Sequence, residues 1–523
     1  MIKRRLRRYS KIQEENPMGH FYLGVEFGST RIKAVGIDDT MAPVVTGDFT
    51  WKSSNINGIW TYDLADVWKG IKEALAPFAG KDVDAMGISG MMHGYLAFDK
   101  DWNLLTPFRT WQNTITAQAA DELTNLFGFN VPQRWSICHL YQAMLNGEEH
   151  VKDVAHITTL AGYVHHSLTG QNVMGIGEAS GMFPIDSEIN DYNQRMADQL
   201  DALFAEKGYS IKTREVLPKV LVAGQNAGYL TEEGAALTGG ILKAGIPFAP
   251  CEGDAGTGMT ATNSVAPRTG NVSAGTSIFS MVVLERPLSK VYIEIDMVTT
   301  PSGAPVAMVH CNNCTTDMNQ WVNVLKETVE LFGGSVSMGD LYTKLYQKSL
   351  EGDVDCGDVT VYNYMAGEGV THLDAGRPMV VRNASSAFTL ANFLRSQLYS
   401  TMATLKIGMD ILAEENVVID SLTGHGGLFK TPVVGQSYMA AACNAPVTCM
   451  ETAGEGGPYG MALLAAYLMN NEESLGDFLK NQVFASAKAV TMEPDPACVA
   501  GFNKYLALYK SGLAVEKAAV ECM

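Results

Sequence analysis

Residues 249–283, APCEGDAGTGMTATNSVAPRTGNVSAGTSIFSMVV, decide how the rest of the chain is read. They set an acidic loop, Glu252-Gly253-Asp254, against a helix start rich in Gly, Ala and Thr. A turn over 267–270 follows, then a strand that runs through a second Gly-rich bend, Ser273-Ala274-Gly275-Thr276-Ser277. Small residues let the backbone approach a ligand closely, and free N–H groups in such bends bind anions. With a carboxylate beside them, the stretch has the layout to hold phosphate and to remove a proton. Phosphoryl transfer is therefore the expectation, though these residues alone do not prove it.

At 523 residues the chain has room for two or more domains with cores of their own. Its net charge of −18 makes a poor surface for nucleic acid, whose binding rests on cations that neutralise phosphate. Among nine scattered cysteines only Cys311 and Cys314 are closely spaced, and a lone C-x-x-C lacks a second ligand pair. Free thiols and 26 methionines point to a reducing, cytoplasmic setting. No run of 18 apolar residues is present to span a membrane. Residues 1–17 carry Lys3, Arg4, Arg5, Arg7, Arg8 and Lys11 but no apolar segment of a secretory signal. They are expected to be a disordered basic extension ahead of a second start at Met18, a surface-binding arm being the alternative.

Outward from the central stretch, FYLGVEFGSTRIKAVGID (21–38) predicts a hairpin turning at Gly28-Ser29-Thr30. A helix over 63–78 follows, with Leu64, Val67, Trp68, Ile71 and Leu75 on one face. A buried strand over 83–89 then leads into Gly90-Met91-Met92-His93-Gly94. Strands ending in Gly-flanked polar clusters are where α/β proteins place ligand contacts, so His93 is either a ligand contact or a satisfied core histidine. Trp111 and Asn113 could offer a polyol a flat wall and an amide, or simply pack. The pattern predicts helix from 136 to 170, a Gly- and Ser-rich connection over 175–186, and hairpins with turns over 216–242. A long helix over 389–414 gives way to a strand over 417–423, which runs into Gly424-His425-Gly426-Gly427 and another helix. Strand, glycines and helix in that order make a nucleotide contact in several α/β folds. The last features are Glu451-Thr-Ala-Gly-Glu-Gly-Gly-Pro-Tyr-Gly460, an Ala-rich helix and a terminal helix over 495–519.

Gly-rich bends at Gly28, Gly256–Gly258, Gly275 and Gly424–Gly427 thus stand at strand–turn or strand–helix junctions, and none is a P-loop. In order and spacing, from about residue 22 to 515, the chain resembles the FGGY carbohydrate kinases, in their xylulokinase-like branch. LGVEFGSTRIKAVGID is similar to that family's first phosphate hairpin, ISGMMHG to its sugar-binding turn, and EGDAGTG to the loop of its catalytic aspartate. SAGTSIF resembles the second phosphate segment and LTGHGGLFKTP the adenosine segment. The resemblance implies an α/β fold of two actin-like (ribonuclease H-like) domains around a cleft, each with a mixed five-stranded sheet. It implies a sugar-binding domain over 18–262 and a nucleotide-binding domain over 263–523, the last helix packing back on the first domain. Asp254 would be the base, with Met92, His93, Gly94, Trp111, Asn113 and Asp254 on the sugar. Gly28, Ser29, Thr30, Lys33, Gly275, Thr276, Ser277, Gly424, Gly426 and Gly427 would hold ATP, and Glu26 would hold Mg²⁺. The partners implied are ATP and a small sugar such as xylulose, with no nucleic acid, no membrane, and a homodimer left open.

Three departures qualify this. Glu26 stands where the family usually has Asp. Trp111-Gln-Asn113-Thr-Ile115 replaces a W-x-D-x-R pattern, and Gly367-Glu368-Gly369 replaces G-E-R. They motivate the alternative of a catalytically weakened ATP- and sugar-binding regulatory protein. A nicotinamide-dependent dehydrogenase is the other rival, because Gly256-Thr-Gly258-Met-Thr-Ala261 fits G-x-G-x-x-A. Against it, Glu252 and Asp254 would adjoin the pyrophosphate, and no acidic residue stands about 20 positions on.

Overall fold

In the computed structural model, which describes residues 19–450 and 456–523, the predicted N-terminal hairpin forms from Phe21–Phe27 (β1) and Arg31–Asp38 (β2). The extension expected over 1–17 lies outside the described residues. β1 is almost wholly buried because it is paired on both edges and covered on both faces, which its near-continuous apolar run requires. Pro43–Thr50 (β3) is the edge strand, and its alternate residues are exposed. Leu64–Leu75 (α1) begins where the Asp63 side chain accepts from the Ala65 N–H at 2.9 Å. Ala85–Gly90 (β4) and Glu252–Gly253 (β5) lie parallel to β1, completing the order β5-β4-β1-β2-β3. Asp254–Ala261 (α2) springs directly from β5.

The second half repeats this plan. Thr269–Ala274 (β6) and Ile278–Val283 (β7) form a hairpin, Asp296–Thr299 (β8) and Pro305–Cys311 (β9) extend it, and Ser421–His425 (β10) lies parallel to β6. With Val447–Met450 (β11) and Ala489–Met492 (β12) the order is β8-β9-β7-β6-β10-β11-β12. The inner five strands reproduce the first sheet's order and directions. The expectation of five strands per domain is therefore corrected to five and seven, since β8 and β12 each add an antiparallel edge. Thr316–Leu331 (α3) and Leu390–Glu414 (α4) belong to this half; α4 runs through the second core, followed by Val434–Cys443 (α5).

One cut near Asn263 does not describe the cores. Gly456–Met469 (α6) belongs to the first core, packed on β1, β2, β4 and α2. Its sequence, GGPYGMALLAAYLM, is apolar all round and is buried on nearly every side. The approach is close. A Cβ on Gly460 would lie 1.9 Å from the Thr257 carbonyl oxygen, and one on Gly24 would lie 2.1 Å from that of Pro458. Pro496–Cys522 (α7), expected to pack back on the first domain, instead buries Phe502, Tyr505, Leu506 and Tyr509 in the second core. Apolar content alone does not say which of two cores a helix joins.

Three local expectations also change. The helical pattern over 136–170 is two helices, Ser136–Leu145 and Leu160–Thr169, divided by the strand His156–Thr158. Residues 216–242 hold a short strand, Lys219–Leu221, and the helix Glu232–Leu237, begun by the Thr231 side chain on the Gly234 N–H. The connection over 175–186 contains the short helix Ile176–Ala179.

Candidate active site

The two hairpin turns, the end of β4, the start of α2 and the end of β10 converge on one cavity of about 370 Å³ between the halves. Each lies at the carboxyl end of a strand or at a hairpin turn, where open α/β sheets place ligands. Glu26, Ser29, Met92, His93, Trp111, Asp254, Ser277 and His425 line the cavity together with Arg134, Phe279, Met308 and His310.

Asp254 is the first residue of α2, and Gly253 precedes it because a Cβ there would meet the buried Glu178 carboxyl at 2.4 Å. Its carboxylate is open to the cleft and accepts the Met92 N–H at Oδ1, 3.3 Å away. The protein packed around it raises its pKa to about 6, against the pull of the Met92 and Ala255 N–H groups. The preceding Glu252 points the other way. Its carboxylate receives the N–H groups of Gly177 (3.3 Å) and Glu178 (2.9 Å), so it anchors Ile176–Ala179 beneath the site. Burial holds Glu252 at about 8, and the same cause, joined by the charges of Asp254 and Glu252, raises Glu178 well above the usual carboxylate range.

Glu26 is partly buried near the end of β1, opposite Lys33 in the hairpin register. Burial and then the charge of Asp254 push its carboxyl up to about 8, Lys33 acting in the opposite direction. Two carboxylates raised at one cleft suit a cation. Among the described residues no cluster of three or more His, Cys, Asp or Glu is placed to bind a metal. One or two carboxylates completed by phosphate oxygens and water is how Mg²⁺ is ordinarily held.

Met92-His93-Gly94 form a strained turn, His93 at φ 69° and Gly94 at φ 91°. A side chain at Gly94 would also press to 2.9 Å from the Arg109 carbonyl, so glycine is required there twice over. His93 Nδ1 lies 3.0 Å from the Gly181 carbonyl, which can only accept, so the proton sits on Nδ1 and Nε2 is an acceptor. Burial, with the Arg134 charge, keeps this ring neutral.

In the first turn the Gly28 N–H donates to Arg31 O (2.9 Å), and the carbonyls of Ser29 and Thr30 are held by the Tyr62 hydroxyl and the Trp51 N–H. In the second, Gly275 N–H donates to Ser277 O (2.9 Å), while Thr315 and Cys314 hold the carbonyls of Gly275 and Thr276. The glycines of β10 divide by role. A Cβ on Gly424 would strike Phe429, and one on Gly426, at φ 96°, would strike Ala274 O, so both shape the loop. Of these three, Gly427 alone has no described atom within 4 Å of where a Cβ would stand.

Asn113 does not present its amide to a ligand. It is buried, its Oδ1 accepting from Trp60 N–H and its Nδ2 donating to Trp60 O, both at 2.8 Å, and to Thr110 O at 3.0 Å. It fixes the loop that carries Trp111. Arg134, Phe279, Met308, His310 and Gly457 were missed by the sequence reading. Only the Gly-Gly-Pro start of α6 had a visible signal, and Gly457 lies so close to Glu26 that its Cβ would stand 2.0 Å from Oε1. Cys311 and Cys314 are both buried with free thiols, and among the described residues they belong to no cluster of three or more His, Cys, Asp or Glu.

Comparison with known proteins agrees with this fold. The model of the FGGY carbohydrate kinase N-terminal domain matches residues 21–260, and that of the C-terminal domain matches 270–469. The chain belongs to the FGGY family of carbohydrate kinases, and it is a sugar kinase. A xylulose kinase of Haemophilus influenzae is 23% identical over 452 residues, covering 82% of this chain and 87% of that protein. Among solved structures, a xylulose kinase of Lactobacillus acidophilus superposes with a TM-score of 0.79 at 15% identity, over 95% of this chain and 98% of its own. A gluconate kinase of the same organism gives 0.79 at 16% identity, with the same coverage. At such low identity the structural likeness shows the two-domain actin-like fold alone, and kinases of differently named sugars match it equally well. Among the described residues no helix is long and apolar enough to cross a membrane.

Proposed function

We propose that this chain transfers the γ-phosphate of ATP to a hydroxyl of a ketopentose such as xylulose, with Asp254 as the base. The observation that carries this is the place of Asp254: at the head of α2, between two Gly-Ser/Thr hairpin turns, with a pKa raised to about 6. A base near that value is largely ionised at neutral pH yet still takes a proton. The hydroxyl's proton passes to the Asp254 carboxylate as its oxygen bonds to the γ-phosphorus, and the bond to the β-phosphate oxygen breaks to release ADP. His93, neutral and fixed by Gly181, offers Nε2 to a second hydroxyl, and Met92 and Trp111 wall the ring. The turns at 28–30 and 275–277, with Lys33, receive the phosphates, and Gly427 faces the rest of the nucleotide. Mg²⁺, when bound beside Glu26, offsets phosphate charge. The free cysteines agree with a cytoplasmic setting.

The xylulose assignment rests on the names of the relatives. A coupled ADP-release screen over ketopentoses, deoxyketohexoses and polyols tests it: a ketopentose should give the highest kcat/KM. No release with any ketopentose, against turnover of another sugar, would move the assignment to that sugar.

A further inference from the structure

The catalytic cavity shares Trp111, Arg134 and His310 with a second and larger chamber, of about 660 Å³, whose other walls have no part in the phosphoryl transfer proposed above. Both halves build it: Trp60, the 111–114 loop and residues 130–134 on one side, Glu294, Asp296, Asn312 and the 368–370 loop on the other. Trp60 and Trp111 are each more than a third exposed, and Asn113 holds the Trp60 main chain against the loop that carries Trp111. Exposed indoles beside a cleft make platforms for the apolar faces of a ligand.

The polar wall is rich in acceptors. Glu368 is 1% exposed, and its Oε2 takes N–H groups from Asn312 (2.9 Å) and Asn313 (3.3 Å) and the Asn313 amide (3.1 Å). Among the described residues its Oε1 makes no full hydrogen bond, although the Val370 N–H favours its ionised form. Gln112 and Gln133, on the opposite wall, each bury an Oε1 that has no partner among the described residues. Unmatched buried acceptors are unfavourable until a donor reaches them. Glu294, which meets the His372 ring at 3.2 Å, and Asp296 face one lining guanidinium, Arg134, which is paired with Asp296; burial raises the Glu368 carboxyl to about 7 and keeps His310 neutral at about 4. An anion is therefore disfavoured, and a group rich in hydroxyl donors is favoured. Gly369, one of the departures from the family pattern, leaves the room: a Cβ there meets nothing within 4 Å.

We propose that this chamber is a subsite for a neutral polyhydroxylated group, seated on Trp111 and hydrogen-bonded by Gln112, Gln133 and Glu368. Two sources share that chemistry: the distal part of an acceptor longer than a ketopentose, or a second free sugar. The inference deepens the kinase reading and rests on it for the first source only.

Calorimetric titration of the full chain without nucleotide separates the possibilities, with xylulose, fructose and the ketose-ended disaccharides maltulose and palatinose as probes. A longer acceptor predicts that a disaccharide binds at least tenfold tighter than either monosaccharide; a second free sugar predicts two xylulose per chain. In either case Gly369→Arg, which fills the chamber, should abolish the gain or the second equivalent. Gln133→Leu should weaken it severalfold, and serves if the arginine variant fails to fold. One monosaccharide per chain with disaccharides no tighter, or binding that neither variant alters, overturns the proposal. ADP release distinguishes the two readings. Turnover of small sugars without a chamber effect removes this inference alone; chamber-dependent binding without phosphorylation of any sugar removes the kinase reading and leaves this one.

Discussion

Lowering the pH should switch Asp254 off well above the range of an ordinary aspartate. With a pKa of about 6 rather than 3.8, the ionised fraction falls from about 0.9 at pH 7 to about 0.1 at pH 5, so kcat/KM should fall about tenfold. An unshifted aspartate would lose only about a twentieth over the same interval. The assay is ADP release at saturating Mg²⁺-ATP and limiting sugar, because kcat/KM for the sugar reports the groups of the enzyme before the sugar binds. Asp254→Asn supplies the complementary measurement: a general base is worth about 10²–10⁴-fold in rate. Its stability should move the other way. A carboxyl whose pKa the fold raises contributes stability that is complete below about pH 3.8 and is lost as pH rises through about 6. The Asn variant, uncharged throughout, should therefore melt higher than the native protein at pH 8, with the gap narrowing towards pH 4. A flat rate between pH 5 and 8, or an Asn variant within tenfold of native, would refute the assignment of the base.

Glu26→Gln should raise the Mg²⁺ concentration needed for half-maximal rate and lower kcat, with sugar binding in the absence of nucleotide unchanged; Glu26→Asp should keep substantial activity. Equal Mg²⁺ dependence in Glu26→Gln and native protein would leave Glu26 a structural partner of its neighbours. Asn113→Ala removes three hydrogen bonds to buried main chain and should cost about 1–3 kcal/mol in denaturant unfolding, while raising the sugar KM through a loosened Trp111. A change in KM without loss of stability would mean that Asn113 touches substrate after all. Gly460→Ala puts a methyl 1.9 Å from Thr257 O and should cost about 1–3 kcal/mol by forcing α6 and α2 apart, read as a lowered Tm. An unchanged Tm would show that the two helices have slack.

Much of the site was legible in the sequence because its parts are local. A turn such as Gly28-Ser29-Thr30, a strand ending in Met92-His93-Gly94 and a helix beginning at Asp254 are each decided by neighbours a few residues apart. Glycine, hydroxyl and carboxylate reveal them wherever they fold. The long apolar strand 21–27 and the helix 389–414 were readable for the same reason, since hydrophobic period is a property of one segment. What joins segments was not readable. The sequence does not show that Glu252 points beneath the site while Asp254, two residues on, faces the cleft; that depends on Gly177 and Glu178 waiting with free N–H groups. Nor does it show that Asn113 is consumed by Trp60, 53 residues away. Apolar residues all round α6 say only that it is buried. The first sheet claims it because Gly24 and Gly460 leave room for a backbone contact that no side chain would permit. Arg134 and His310 carry no motif, and they meet Asp254 only where the two halves close on one cavity. Periodicity and turn chemistry act along the chain and can be read from it. The second chamber is made where segments far apart in the chain pack together, so no local signal announces it.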